Sequence, residues 1–349
     1  MEEKWLKMRV IAFPAAGIAY NESFYAALRR RGTEVVDGIF AGGWLLDNVR
    51  KNDVVHVHWP SFLYERHEST AALLAGFVRF LLLLAIVRFR ARCVCWTAHN
   101  LMPHQRNDLP ILDVIARRVV IRLSSRIFVH GPEARRVLCG RFPQAERKCV
   151  LIPHGHWIGR YQPEVSRLEA RRALSLPDDA FVYLLFGQLN RYKNATGLIQ
   201  AFRESASGDA VLLLAGRFSD DRYAAEVAAA ASGDPRVRVH GRFIPDGEVS
   251  TYLSACDAAC MPYKDILTSG TAMLAMSFGK PVISINRGFL RDVVTPATGI
   301  LVEPNDAAGL AGALRQARKV SWNAQEILSH AGRSTFEDAA RMFEEAIAM

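Results

Sequence analysis

Ten histidines are spread over 349 residues, and several stand where they could move protons or fix hydroxyl groups. In Asp53–Pro60 (DVVHVHWP), His56 and His58 alternate with valines, so both leave the same side of an extended segment that Trp59-Pro60 closes. His99 and His104 bound the run HNLMPH, Asp108 follows four residues later, and His154 and His156 flank Gly155. An imidazole near its ordinary pKa takes up a proton at neutral pH, and a carboxylate does so once burial raises its pKa. His99, His104, Asp108 and Glu22 are therefore the candidate general bases, Glu22 lying in the loop after the first strand-like run with Asn21 as a possible helix cap beside it. His58, Trp59, His154 and His156 are candidates for contact with a substrate. His56 reads as a histidine satisfied in the core.

A second set of residues suits an anion. Arg191 and Lys193 follow the strand-like run Val182–Phe186, at the end of a strand where a doubly wound sheet binds phosphate. Ser269-Gly270-Thr271 opens Thr271–Phe278, a run of good helix formers whose free N–H groups and hydroxyls would meet a negative charge. Gly216 and Arg217 follow Val211–Ala215, and Tyr263 and Lys264 follow Ala258–Met261, at the same sheet edge. Tyr263 suits either stacking on a base or packing in the core. No Asp-x-Asp motif is present; Asp178-Asp179 and Asp220-Asp221 are adjacent pairs in loop-like settings, so neither a metal nor another cofactor is expected.

The elements that must position these residues alternate. Strand-like runs at Arg9–Phe13, Glu34–Phe40, Val54–His58, Cys93–His99, Arg126–His130 and Val150–Pro153 have helical stretches between them. The second half repeats the habit at Val182–Phe186, Val211–Ala215, Val237–His240, Ala258–Met261, Val282–Ile285 and Gly299–Val302. This pattern predicts an α/β protein with two doubly wound, Rossmann-like domains facing a cleft, residues 1–160 and 161–322, joined within Ile158–Asp179. Residues 323–349 read as one or two helices that could complete the first domain. At 50% hydrophobic and 23% charged residues the composition excludes disordered, collagenous and coiled-coil classes. Six cysteines without disulfide or zinc spacing read as small core residues in a reducing compartment.

The net charge of +9 is unevenly placed: residues 1–165 carry +10 and residues 166–349 carry −1. A basic first half calls for an anionic partner, and with no nucleic-acid motif the membrane surface is the expectation. Ala71–Val87 holds 17 residues with Arg79 as its only charge, between two strand-like runs where a crossover helix belongs. Such a helix would cover the sheet with one face and offer the other to lipid, with Arg79 also expected at the membrane and Arg88, Arg90 and Arg92 toward anionic headgroups. Met1–Arg9 has no apolar run of the kind a signal peptide needs, so the expectation is a cytoplasmic protein held peripherally on the inner face of a membrane.

These motifs resemble those of the GT-B sugar-nucleotide transferases. DVVHVHWP and CWTAHNLMPH (Cys95–His104) resemble the third-strand and strand-end histidine motifs of the family 4 glycosyltransferase group; IPHGHWIGRY (Ile152–Tyr161) looks like the segment entering the interdomain linker. FGQLNRYKN (Phe186–Asn194) looks like the donor-phosphate loop, and SGTAMLAMSFGKPVI (Ser269–Ile283) like the donor-site helix and following strand. The combination of HWP, HNLMPH, HGH, YK and SGT is most similar to the xanthan-type GDP-mannose:glycolipid 4-β-mannosyltransferases, glycosyltransferase family 94. The resemblance implies that Lys193 binds donor phosphate, that Gln188 stands where most relatives have an arginine which Arg191 could replace, and that His99 contacts the donor sugar. Retaining family 4 enzymes carry two glutamates in this stretch; with Gly279-Lys280-Pro281 placed on their turn, those positions are Ile266 and Leu274. The family it resembles is inverting. The reading is thus an inverting hexosyltransferase passing mannose from GDP-mannose to a polyprenyl-diphosphate-linked oligosaccharide, with UDP-sugar transfer or a non-catalytic sugar-nucleotide-binding scaffold as alternatives.

Overall fold

A computed structural model describes residues 8–65, 69–103, 109–205 and 209–349. The chain divides into two compact units, one formed by residues up to Gly155 together with Thr335–Met349, the other by His156–Ser334. Each is a six-stranded, wholly parallel sheet flanked by helices, as the alternation of runs predicts.

In the first unit β1 (Arg9–Phe13), β2 (Glu34–Asp37), β3 (Val54–Val57), β4 (Cys93–Thr97), β5 (Arg126–Val129) and β6 (Cys149–Leu151) lie in the order β2-β1-β3-β4-β5-β6. The order reverses between β1 and β3, which leaves a crevice at the carboxyl ends of these strands. Glu22 lies in the first turn of a helix, Ala19–Arg30, not in a loop. That helix starts after Ile18, because the Asn21 side chain is buried and its Nδ2 donates to Pro14 O at 2.6 Å rather than capping. The apolar run folds as the crossover helix Thr70–Arg90, capped by the Ser69 hydroxyl, which accepts from Ala72 N–H. It buries Leu73, Phe77, Phe80, Leu84 and Val87 at helical spacing and leaves Leu74, Val78, Leu82 and Phe89 exposed.

Only the last of the two C-terminal helices belongs here. Phe336–Ala348 lies along Ala19–Arg30, with the Phe343 ring 4.8 Å from Phe128, 4.9 Å from His56 and 5.5 Å from Phe24. Glu344 accepts from Arg31 Nε and from the Thr33 hydroxyl, both at 2.6 Å. The preceding helix, Ala324–Gly332, stays in the second unit, where the His330 ring bonds Val293 O at 2.9 Å. The division falls at Gly155/His156 rather than at 160/161. There the His156 N–H donates to Ser334 O at 2.9 Å, which ties the outgoing and returning chain together.

In the second unit β7 (Phe181–Phe186), β8 (Ala210–Ala215), β9 (Val237–His240), β10 (Ala258–Met261), β11 (Val282–Ile285) and β12 (Gly299–Val302) lie in the order β12-β11-β10-β7-β8-β9. β7 and β8 are almost continuously apolar and buried because helices cover both faces of the sheet. The order reverses between β7 and β10.

Candidate active site

Lys193, Tyr263, Ser269 and Thr271 converge at the β7/β10 reversal. Lys193 ends a single 3-10 turn, Arg191–Lys193, and folds back so that Nζ donates to Phe186 O at 2.8 Å and lies 6.0 Å from the Tyr263 ring centre. It is 5% exposed, and burial pushes the amine from 10.5 down to about 7. Ser269 caps the helix Gly270–Met276, its Oγ accepting from Ala272 N–H at 3.4 Å. Tyr263 is hydrogen-bonded to the Ser269 and Thr271 side chains and lies 5.5 Å from the Tyr192 ring, so it is packed inside this corner and not available to stack on a base.

Two glycines permit the convergence. A Cβ on Gly187 (φ +86°) would stand 3.0 Å from Lys193 Nζ, so the amine crowds this turn, and 3.9 Å from Thr271 Oγ1, an ordinary contact. A Cβ on Gly216 (φ +150°) would fall 2.0 Å from Gly187 O, so only glycine lets the ends of β7 and β8 approach as they do. Gln188, Gly216 and Arg217 line one cavity of about 350 Å³ with Gly187, Phe243 and Ile244. Arg191 does not join this corner: Glu226 and Asp220 pair with it and the Tyr223 ring lies 5.0 Å beneath it. Nor does Lys264, which is exposed and borders a separate cavity with Asn194, Glu303 and Asp306.

In the first unit, the carboxyl ends of β3 and β4 carry a line of hydrogen-bonded rings. His58 Nδ1 and His99 Nε2 are 2.9 Å apart; the Tyr25 hydroxyl lies 2.7 Å from His58 Nε2 and 2.9 Å from His56 Nδ1; His56 Nε2 lies 2.8 Å from Thr97 Oγ1. Burial lowers the pKa of His56 to about 3 and of His154 to about 4, and those of His58, His99 and His130 fall well below the ordinary value. Neighbouring rings add a smaller push in the same direction on His58, His99 and His130. All five are neutral at pH 7.

His99 is 6% exposed and lies at the edge of this cluster, stacked on Trp59 at 4.3 Å. Trp59 in turn stacks at 6.1 Å on Phe62, which projects into solvent. His58 is not a contact residue, since it is buried and both its ring nitrogens are engaged. His154 is likewise buried, 2.9 Å from Gly155 O and 5.0 Å from the Tyr20 ring. His156 lies in the other unit, where its Nδ1 accepts from Ile158 N–H at 3.1 Å. Glu22 is half-buried and accepts from Gly17 N–H at 3.1 Å, while His104 and Asp108 lie outside the described residues. Tyr20, Tyr25, Thr97 and His130 are members that the sequence reading missed. The available signal was the spacing of Thr97 and His99, which repeats that of His56 and His58 on the adjacent strand.

Of the four arginines expected at a membrane, three spend N–H groups on backbone carbonyls: Arg79 on Phe40, Arg90 on Leu46 and Val49, and Arg92 on Ile347. Arg88 instead lines a cavity of about 570 Å³ with Arg118, Arg122 and Lys148, and no acid borders it among the described residues. Lys148 Nζ donates to Ile121 O and Arg122 O, and its pKa is lowered by burial and by the nearby Arg122 and Arg88 charges. Among the described residues one helix, Thr70–Arg90, is long and apolar enough to cross a membrane. No three histidine, cysteine, aspartate or glutamate side chains among those residues gather as a metal site.

Two units, each a six-stranded parallel sheet flanked by helices, are the architecture of the GT-B fold, and the similarities that follow make the chain a glycosyltransferase. The chain carries a domain of the family "Glycosyl transferases group 1", matched over residues 166–335, which is nearly the whole second unit. It is 29% identical over 276 residues to a GDP-mannose:glycolipid 4-β-D-mannosyltransferase of Xanthomonas campestris pv. campestris, covering 76% of this chain and 72% of that one. It is 26% identical to the 2-deoxystreptamine glucosyltransferase of Streptomyces kanamyceticus, over 78% and 72% of the two chains. Anabaena HepE, solved with UDP and glucose, superposes with a TM-score of 0.70 over 98% of this chain and 99% of its own at 17% identity.

Proposed function

We propose that this glycosyltransferase moves a hexose, mannose from GDP-mannose, onto a polyprenyl-diphosphate-linked oligosaccharide with inversion to a β linkage. The observation that carries the reading is the donor corner itself. It offers a buried lysine, a capped helix start and two hydroxyls, but neither carboxylate of the retaining relatives, because Ile266 and Leu274 are buried apolar residues. In the transfer, the acceptor oxygen bonds to the anomeric carbon as the bond from that carbon to the diphosphate oxygen breaks. The acceptor proton passes to a general base, and the released diphosphate charge meets Lys193 and the N–H groups of Ser269–Thr271. Similarity to a mannosyltransferase acting on a glycolipid supports both donor and acceptor class.

The same proposal places the protein peripherally on the cytoplasmic face of a membrane in exopolysaccharide synthesis, without a metal ion. The exposed Leu74, Val78, Leu82 and Phe89 side chains and the cavity of Arg88, Arg118, Arg122 and Lys148, which no acid borders among the described residues, support contact with an anionic lipid surface. The test is thermal unfolding against GDP, UDP, TDP and ADP, followed by turnover of GDP-mannose with a lipid-linked acceptor, with and without EDTA. A selective rise in melting temperature with GDP and a β-linked product in EDTA are expected. A selective rise with UDP, or an α-linked product, would overturn the donor or the stereochemical assignment respectively.

A further inference from the structure

The hydrogen-bonded line Thr97, His56, Tyr25, His58, His99 has a direction that can be read from its closed end. Each of its four contacts is 2.7–2.9 Å long, so each must hold one hydrogen, and every ring or hydroxyl in the line passes the same polarity to the next. Thr97 is fully buried, and His56 Nε2 is the only hydrogen-bond partner of its hydroxyl among the described residues. If the hydroxyl accepted from His56, its own hydrogen would be buried without an acceptor. It therefore donates. His56 Nε2 is then an acceptor and Nδ1 carries the hydrogen given to Tyr25 oxygen. Tyr25 gives its own to His58 Nε2, and His58 Nδ1–H donates to His99 Nε2.

We propose that Thr97, through His56, Tyr25 and His58, locks His99 as its Nδ1–H tautomer, so that His99 presents a hydrogen-bond donor and not a proton acceptor to the substrates. The four inner groups are positioning residues; His99 alone stands at the open end, where Nδ1 has no partner among the described residues and Trp59 stacks on the ring. A neutral donor suits the oxygen of a sugar hydroxyl or of a phosphate. The role in transfer rests on the reading proposed above, and it removes His99 from the general bases, leaving Glu22 as the described candidate. The tautomer itself does not depend on which donor or acceptor is used. The reverse polarity leaves one buried hydroxyl hydrogen unsatisfied, so the Nδ1–H form is expected in excess by about tenfold or more.

The test is two-bond ¹H–¹⁵N correlation of the full-length protein labelled at histidine, with the His99 ring assigned by its loss in His99→Gln. The expected result is a pyrrole-type Nδ1 and a pyridine-type Nε2 for His99 at pH 7. An Nε2–H tautomer would overturn the proposal. Thr97→Val, which keeps the shape and removes the hydroxyl, should bring the two tautomers of His99 toward equal population, and Thr97→Ser should restore the Nδ1–H form. Tyr25→Phe, cutting the line at its middle, should likewise release His99, which keeps the test available if Thr97→Val does not fold. An unchanged His99 spectrum in a folded Thr97→Val or Tyr25→Phe protein would show that the line does not set the tautomer. Failure of GDP-mannose turnover with the expected tautomer intact would strike the functional reading and leave the lock standing.

Discussion

Lys193 shows how burial shifts the proton affinity of a single amine. Its amine donates to the chain's own Phe186 carbonyl and sits where neutralisation costs little, so a bound diphosphate would have to recharge it. At pH 8 donor binding is therefore expected to take up about one proton, read by calorimetry in buffers of different ionisation enthalpy. Lys193→Met should abolish that uptake and weaken GDP-mannose binding at least about tenfold, the scale of a charge-assisted hydrogen bond. The same shift fixes a stability slope. Burial lowers the pKa from 10.5 to about 7, so the unfolded chain binds more protons between those values, and this contribution to stability rises with pH across the window. Lys193→Met should flatten that rise in urea titrations. Arg191, three positions after Gln188 and equally plausible by spacing, is withdrawn by Glu226 and Asp220. Those acids lie on another element, and their approach could not be read from the motif.

At the scale of the element, the Thr70–Arg90 helix has two apolar faces and only one sheet to cover. Its buried face and its exposed face differ little in composition, and the sequence pattern accordingly fixed the helix and its place as a crossover without saying which side was inward. Val78→Asp with Leu82→Asp is expected to abolish flotation with vesicles containing anionic lipid while moving the melting temperature by only a few degrees, since both side chains are exposed. Neutralising Arg118 or Arg122 to glutamine should weaken vesicle binding about fivefold each, and less at high salt. Equal binding by these variants and the parent would remove the lipid-facing role of this surface. The strands were more legible than the helix faces. β9, β10, β11 and β12 begin and end at the residues expected from the sequence, whereas β2 stops at Asp37, short of Phe40, where the Asp37 carboxylate accepts from Ala15 N–H at 2.6 Å.

For the molecule as a whole, the last fifteen residues return to the first unit. Phe343 lies beside Phe24, His56 and Phe128, so Phe343→Ala is expected to cost about 3–5 kcal/mol and to act on the unit that contains none of its sequence neighbours before Thr335. Hydrogen exchange should then show lost protection in β3, β4 and β5, with β7 and β8 unchanged; uniform loss in both sheets would mean that the helix supports the two units alike. Local composition determined a great deal here. Alternation of apolar runs with helical stretches points to parallel α/β sheets, because crossover helices join parallel strands and cover both faces of the sheet. The histidines and the residues of the β7/β10 corner follow from strand ends. What only the tertiary structure decided is which side chains are spent on one another. Ion pairs at Arg191, the hydrogen-bonded line from Thr97 to His99 and the packing of Tyr263 against Tyr192 all join positions far apart in the chain. Their energies depend on distances and burial that no local sequence window contains.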